Sequence, residues 1–434
     1  MPLPRFRSYA APKQVQSGFY RPEDLALLYN FPTTYKTAAG QTRALDGTGQ
    51  KIGIIQLGGS YLQTDLLAFF GTKPVPNFVP YLYNVSTKQF ARGRPAFVPG
   101  DGANGENALD MQIIGALVPK ATINIYFGYD VRTGDQYFYE AIQQAIQDNC
   151  SVISISWGLT EDVRYLSYFT ELNNLLQTAT TGPKKVTIFA AAGDDGSSDD
   201  ASGRACTDFP GSSPYVLSCG GTNLLADRNK KTIVRESVWN NKNGSATGGG
   251  VSQLFGKPVW QQQVTKFTMR GLPDVAGHAD PLNSPYYIIN EGQVMGMGGT
   301  SAVAPLYASL ALRLRQAKGS NLGLLQPLVY SRRKQVCRDI TLGDNDTTPN
   351  GKVDFAAGKD WDACSGCGAL NGQALFDAMI PKNQDKSKDK SKDKKKEQNK
   401  KTAPTPMKKK TAPTPMKKVN LLAVNKFFSE KWKK

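Results

Sequence analysis

Four short runs rich in Ile and Val, KIGIIQL, TINIYF, SVISIS and VTIFAAA, do most to limit how this 434-residue chain can fold. Each is short and apolar throughout, the mark of a strand buried on both faces. Helical periodicity separates them, in GENALDMQIIGAL (Gly105 to Leu117) and in DQYFYEAIQQAIQDN before Cys150. Strands alternating with helices predict an α/β fold, a parallel sheet flanked by helices on both faces. Ligands of such sheets bind beyond the carboxyl ends of the strands. The stretches that matter are therefore GGS after Leu57, WGLTED after Ser156 and GDDGSS after Ala192.

Charge divides the chain unequally. From Lys382 to Lys434 there are 19 Lys and 5 acids, a net of +14, out of +17 for the whole chain. The first 381 residues are almost neutral, so the basic character belongs to the tail. The segment KNQDKSKDKSKDKKKEQNK has no apolar residue and is expected to be disordered. Two copies of KKTAPTPMK follow, from Lys400 and Lys409, and read as a stiff basic spacer. The last segment, with Leu421, Leu422, Val424, Phe427, Phe428 and Trp432, reads as a basic amphipathic helix or a solvated tail. The tail is expected to bind nucleic acid or an anionic membrane. These features give an arm over 1–17, a folded domain over 18–381 and a tail over 382–434.

No apolar run is long enough to span a membrane. The N-terminus has no apolar signal segment, so ordinary secretion is not supported. Location stays open between intracellular and virion-associated, with action in an acidic environment. Six cysteines are too few for a disulfide scaffold, and the Cys364-x-x-Cys367 pair lacks partners for zinc, so free thiols are expected.

Two carboxylates disturb the Gly105–Leu117 pattern. Leu109, Ile113, Ile114, Ala116 and Leu117 make an apolar face, and Glu106 and Asp110 fall near its middle. Like charges four residues apart cost a few tenths of a kcal/mol when exposed, and far more when buried without a partner or proton. Elsewhere, GMGGTSAVAP places Ser301 behind glycines at a helix start, where a hydroxyl meets a positive helix end. A nucleophilic serine needs a base. The chain has one histidine, His278, in a Pro/Gly/Asp-rich stretch that reads as a solvated loop. A Ser-His-Asp enzyme must use it, and otherwise the base is a carboxylate.

The ordered motifs resemble the sedolisins, serine-carboxyl peptidases with a subtilisin-like fold. They are FYRPEDLALLYNF, IGIIQLGG, GENALDMQIIGALVPKATINIYF, ISISWG, AAAGDDGSS, FPGSSPYVLSCGGT, ATGGGVSQLF, GLPDVAGHADP, GGTSAVAP, RDITLGDN and WDACSGCGAL. The resemblance implies peptide-bond hydrolysis through an acyl-enzyme on Ser301. It implies Glu106 as general base and acid, Asp110 as its hydrogen-bonded partner and Asp194 as oxyanion-hole acid. Ser156, Trp157 and Gly158 resemble the strand that pairs with the substrate backbone. Asp339 and Asp362, with carbonyls of Ile340, Gly358 and Asp360, match the family's calcium site, and oxygen-only ligation suits that hard cation. Asp360 stands where the family usually has Gly.

Carboxylate bases and a protonated Asp194 both imply an acidic optimum. The substrate would be a protein or peptide, and the enzyme a monomer. The family's large N-terminal prodomain is not seen here, since 18 residues precede Phe19. Two other readings remain: an inactive sedolisin-like scaffold directed by its tail, and a Ser-His-Asp hydrolase built on His278.

Overall fold

The computed structural model describes residues 4–6, 9–10, 18–130, 132–199, 204–347 and 355–380. The chain divides into units Met1–Pro381 and Lys382–Lys434, and the tail motifs lie outside the described residues.

An eleven-stranded sheet forms the centre. Its parallel core runs Val275–His278, Leu217–Asp227, Thr187–Ala191, Val152–Ile155, Lys51–Gln56, Thr122–Phe127 and Asn77–Asn84. The four apolar runs are four adjacent strands of this core. Side-chain alternation splits them between two packed layers. Ile52, Ile54, Ile123 and Ile125 enter one core, while Ile55, Tyr126, Ile153 and Ile155 enter the other. Helices Phe138–Gln147 and Leu166–Thr181 cover the second face. Helices Gly102–Leu117 and Thr300–Lys318 pack together on the first.

The Thr300–Lys318 helix lies against the Val152–Ile155 and Thr187–Ala191 strands. Its N-cap is Gly299 at φ 106 and ψ 168, a backbone that side-chain-bearing residues rarely adopt. Gly298 is equally restricted, because a Cβ there would come 2.3 Å from the Ala279 carbonyl. These two glycines let the chain turn from strand to helix immediately before Ser301.

His278 is not in a solvated loop. It ends the Val275–His278 strand and is fully buried. Gly277 lies inside that strand and Gly271 inside the Met269–Leu272 strand before it, and both are buried. All six cysteines are free, with Cys337 half-buried and the rest buried. Among the described residues, no helix is long and apolar enough to cross a membrane.

Candidate active site

Gly102–Leu117 is helical as its spacing predicts, with Asp101 as N-cap accepting from the Ala103 amide at 2.9 Å. Both carboxylates are fully buried, so the exposed-pair reading of Glu106 and Asp110 is excluded. The helix is buried on nearly every side: its apolar face enters the core, and its polar face meets loops at the strand ends.

Asp110 is held by neutral donors. Its Oδ1 accepts from Ser156 Oγ at 2.8 Å and its Oδ2 from Gln56 Nε2 at 2.8 Å. Trp157 Nε1 donates in turn to Gln56 Oε1 at 2.9 Å, which fixes the amide. Burial pushes the Asp110 carboxyl up to about 8, although both hydrogen bonds pull the other way. Loss of hydration outweighs two neutral donors, so Asp110 holds a proton at acidic and neutral pH.

Ser301 is buried in the first turn of its helix. Its Oγ lies 3.3 Å from the Ser156 carbonyl, and Ser156 Oγ lies 3.4 Å from the Ser301 carbonyl. Ser156 therefore joins the Asp110 carboxyl to the Ser301 turn, one helix turn from Glu106. Asp194 follows the Thr187–Ala191 strand and is also buried. Its Oδ1 accepts from the Thr300 amide at 2.8 Å and from Thr300 Oγ1 at 2.6 Å. That carboxyl is thus fixed beside the residue preceding Ser301. Neighbouring Asp195 is a third exposed and points elsewhere, toward Arg5.

His278 is committed to the core. Its Nε2 lies 2.6 Å from the Ser284 carbonyl, and its Nδ1 accepts from the Leu224 amide at 3.3 Å. Tyr286 stacks on it at 5.6 Å and Tyr20 meets it edge-on at 5.3 Å. Burial lowers its basicity, and neither ring nitrogen is offered to Ser301. A triad using His278 is not built.

The Trp157–Thr160 strand lies between two others. Asp208–Phe209 pairs on one edge and Arg5–Phe6 on the other, with Arg5 opposite Gly158 and Phe6 opposite Trp157. Tyr9–Ala10 pairs antiparallel with Met297–Gly298, just ahead of Gly299 and Ser301. Two short segments near the N-terminus, Arg5–Phe6 and Tyr9–Ala10, therefore pair with strands close to Ser301, a pairing the sequence did not suggest. Gln56 was also missed, although a polar residue closing an otherwise apolar strand run was a signal for it.

The remaining sequence-derived residues gather in a separate loop. Asp339 Oδ2 accepts from the Asp360 amide at 2.9 Å, and Asp362 Oδ2 accepts from the Gly358 amide at 3.1 Å. Ser365 Oγ reaches both the Ile340 carbonyl at 3.4 Å and Asp362 at 3.1 Å. Burial pushes the Asp362 carboxyl above its ordinary value. Asp360 sits at φ 74, a backbone that favours Gly. Its added charge is neutralised by Arg333 in a two-point pair at 2.5 and 2.7 Å. Among the described residues, no three His, Cys, Asp or Glu side chains cluster as a metal site. Any cation here would therefore rest on two carboxylates and carbonyls.

The model of the subtilase family matches residues 100–340, the span holding Glu106, Asp110, Asp194 and Ser301. Kumamolisin of Bacillus sp. (strain MN-32) is 40% identical over 376 residues, covering 83% of this chain and 64% of that protein. Tripeptidyl-peptidase sed5 of Aspergillus fumigatus is 27% identical over 402 residues, covering 82% and 65%. The solved structure of Pseudomonas sedolisin, a serine-carboxyl proteinase complexed with two molecules of pseudo-iodotyrostatin, superposes with a TM-score of 0.70 at 26% identity. That match covers 83% of this chain and 97% of the other. The chain belongs to the subtilase family and, by these relatives, to the sedolisins. It spans a little under two thirds of the length of the curated relatives named here.

Proposed function

We propose that this chain is a serine-carboxyl peptidase that hydrolyses peptide bonds at acidic pH through an acyl-enzyme on Ser301. One observation carries the reading. Ser301 opens a buried helix within reach of Ser156, whose hydroxyl binds a carboxyl raised by burial to about 8 and one helix turn from Glu106.

Glu106 takes the serine proton as Oγ attacks the scissile carbonyl. It returns that proton to the leaving amine, and repeats the cycle with water for deacylation. Asp110, held protonated, keeps a second negative charge away from Glu106 and lets one proton be shared between them. Asp194, protonated at acidic pH, donates to the developing oxyanion, and the amide at the helix start adds its dipole. The Trp157–Gly158 edge holds the substrate as an added antiparallel strand. The arm strand paired there supports that role. Cleavage inside chains and removal of tripeptides both fit the relatives' names. The inactive-scaffold reading is weakened by the presence of all four groups.

The test is cleavage of a denatured protein between about pH 3 and pH 8 by wild type and Ser301→Ala. The expected result is activity below about pH 6 that falls at least a thousandfold in the variant, as for nucleophile removal in serine peptidases. Residual cleavage of similar rate and pH dependence would end the proposal.

A structural calcium ion is proposed for the Asp339–Asp362 loop. The buried Asp362 carboxyl suits a cation, and the Ile340, Gly358 and Asp360 carbonyls would complete an oxygen set. Bound there, the ion would tie the loop to the end of the sheet. A chelator should lower the melting temperature, and Asp362→Asn should remove that sensitivity. The tail from Lys382 is proposed to tether the enzyme to a polyanion, with salt-dependent binding to DNA or anionic vesicles as its test.

A further inference from the structure

We propose that the cleft selects a basic side chain, Arg above others, at the substrate position facing Gly158, with Asp195 as the specificity-determining residue. The inference rests on the peptidase reading above.

The chain's own arm supplies the template. Arg5–Phe6 lies antiparallel to Trp157–Gly158, and Tyr9–Ala10 lies antiparallel to Met297–Gly298. Both partner strands come close to Ser301: Ser156, just before Trp157, has its carbonyl 3.3 Å from Ser301 Oγ, and Gly298 lies three residues before Ser301. The arm is also anchored upstream, where the Pro4 carbonyl accepts from Gln136 Nε2 at 3.2 Å. Each segment adds a strand to an open edge, the usual way a protease holds a chain without reading its side chains.

Side-chain selection then falls to the pockets beside the strand. Gly158 has no room for a side chain, because a Cβ there would meet an Asp208 carboxylate oxygen at 1.8 Å. The residue opposite Gly158 is therefore read by what lies around it rather than by the strand. Arg5 occupies that position. Its Nη2 donates to the Asp199 carbonyl at 2.9 Å and lies 3.3 Å from Thr160 Oγ1. Its Nη1 lies 3.7 Å from Asp195 Oδ2. The Asp199 carboxylate accepts from Thr160 Oγ1 at 2.8 Å, which holds the hydroxyl in place. A carbonyl, a hydroxyl and a carboxylate spaced around one group match the fork of a guanidinium better than the single point of an ammonium. The Arg5–Asp195 pair is partly open to water. Such pairs give modest discrimination, and the charge-assisted bond to the carbonyl adds to it.

The test uses the full-length chain. Cleavage sites in a denatured protein are mapped by mass spectrometry for wild type, Asp195→Asn and Thr160→Val. Wild type should show Arg enriched about five- to tenfold at one fixed position upstream of the cut, with Lys weaker. Asp195→Asn should lose most of that enrichment, with the remaining cuts showing no basic residue favoured at that position. Cleavage that depends on Ser301 but shows no basic preference overturns this inference and leaves the peptidase reading intact. A second measurement needs no activity. Hydrogen exchange of the 157–160 amides is compared in wild type and Arg5→Ala. Faster exchange in Arg5→Ala supports the anchoring role, and equal protection overturns it even if no cleavage is ever seen.

Discussion

Two fully buried aspartates show how one side chain serves opposite ends. Asp274 faces Arg270 in a two-point pair at 2.9 and 2.7 Å, and also accepts from the Ser218 amide and Tyr330 hydroxyl. Asp110 accepts from a hydroxyl and an amide side chain, Ser156 and Gln56. A buried carboxylate saturated by a guanidinium is a fixed charge, whereas one met by neutral donors gives way to burial and takes up a proton. The first arrangement pins strand ends together. The second leaves a proton on a carboxyl that Ser156 links to Ser301.

Breaking the fixed pair should cost most stability. Arg270→Met strips the buried Asp274 carboxyl of its guanidinium partner, and about 3–5 kcal/mol of unfolding free energy should be lost, read by denaturant titration. A loss below 1 kcal/mol would mean that the guanidinium is not what makes Asp274 tolerable.

The titratable member should behave differently. The folded Asp110 carboxyl stands at about 8 against an ordinary 3.8. Between those values the folded state holds a proton that the unfolded chain has released. This contribution to stability is complete below about pH 4 and is lost as pH rises toward about 8. Asp110→Asn, which mimics the protonated form, should flatten the fall of melting temperature over that range while cutting activity about a hundredfold or more. An unchanged slope would show that Asp110 is not the group titrating.

His278→Asn removes buried hydrogen bonds and packing, and should cost about 2–4 kcal/mol of stability. Once corrected for folded fraction, its peptidase activity should match wild type. The smallest effect is expected at Asp360→Gly. It relieves a backbone at φ 74 but loses the Arg333 pair, so stability should stay within about 1 kcal/mol.

Much of this was legible in advance. The four Ile/Val runs became adjacent parallel strands because nothing but a doubly covered sheet buries such segments. Glu106 and Asp110 stood out because carboxylates do not belong on an apolar face without a purpose. His278 was misread because glycines and prolines mark turns wherever they fall, and local composition does not reveal that a strand between them is buried. The Ser156 and Gln56 bridge was hidden because hydrogen bonds across 46 and 54 residues leave no local pattern. The pairing of the arm with Trp157–Gly158 was hidden for the same reason, since two-residue strands carry no periodicity.

The central claim is that carboxylates, and not the lone histidine, serve Ser301. The direct test measures cleavage of one denatured protein at about pH 4 by Glu106→Gln and His278→Asn, each corrected for folded fraction. The account predicts that Glu106→Gln loses at least a hundredfold, the usual scale for removing a general base, while His278→Asn stays within a few-fold of wild type. A dead His278→Asn beside an active Glu106→Gln would contradict it.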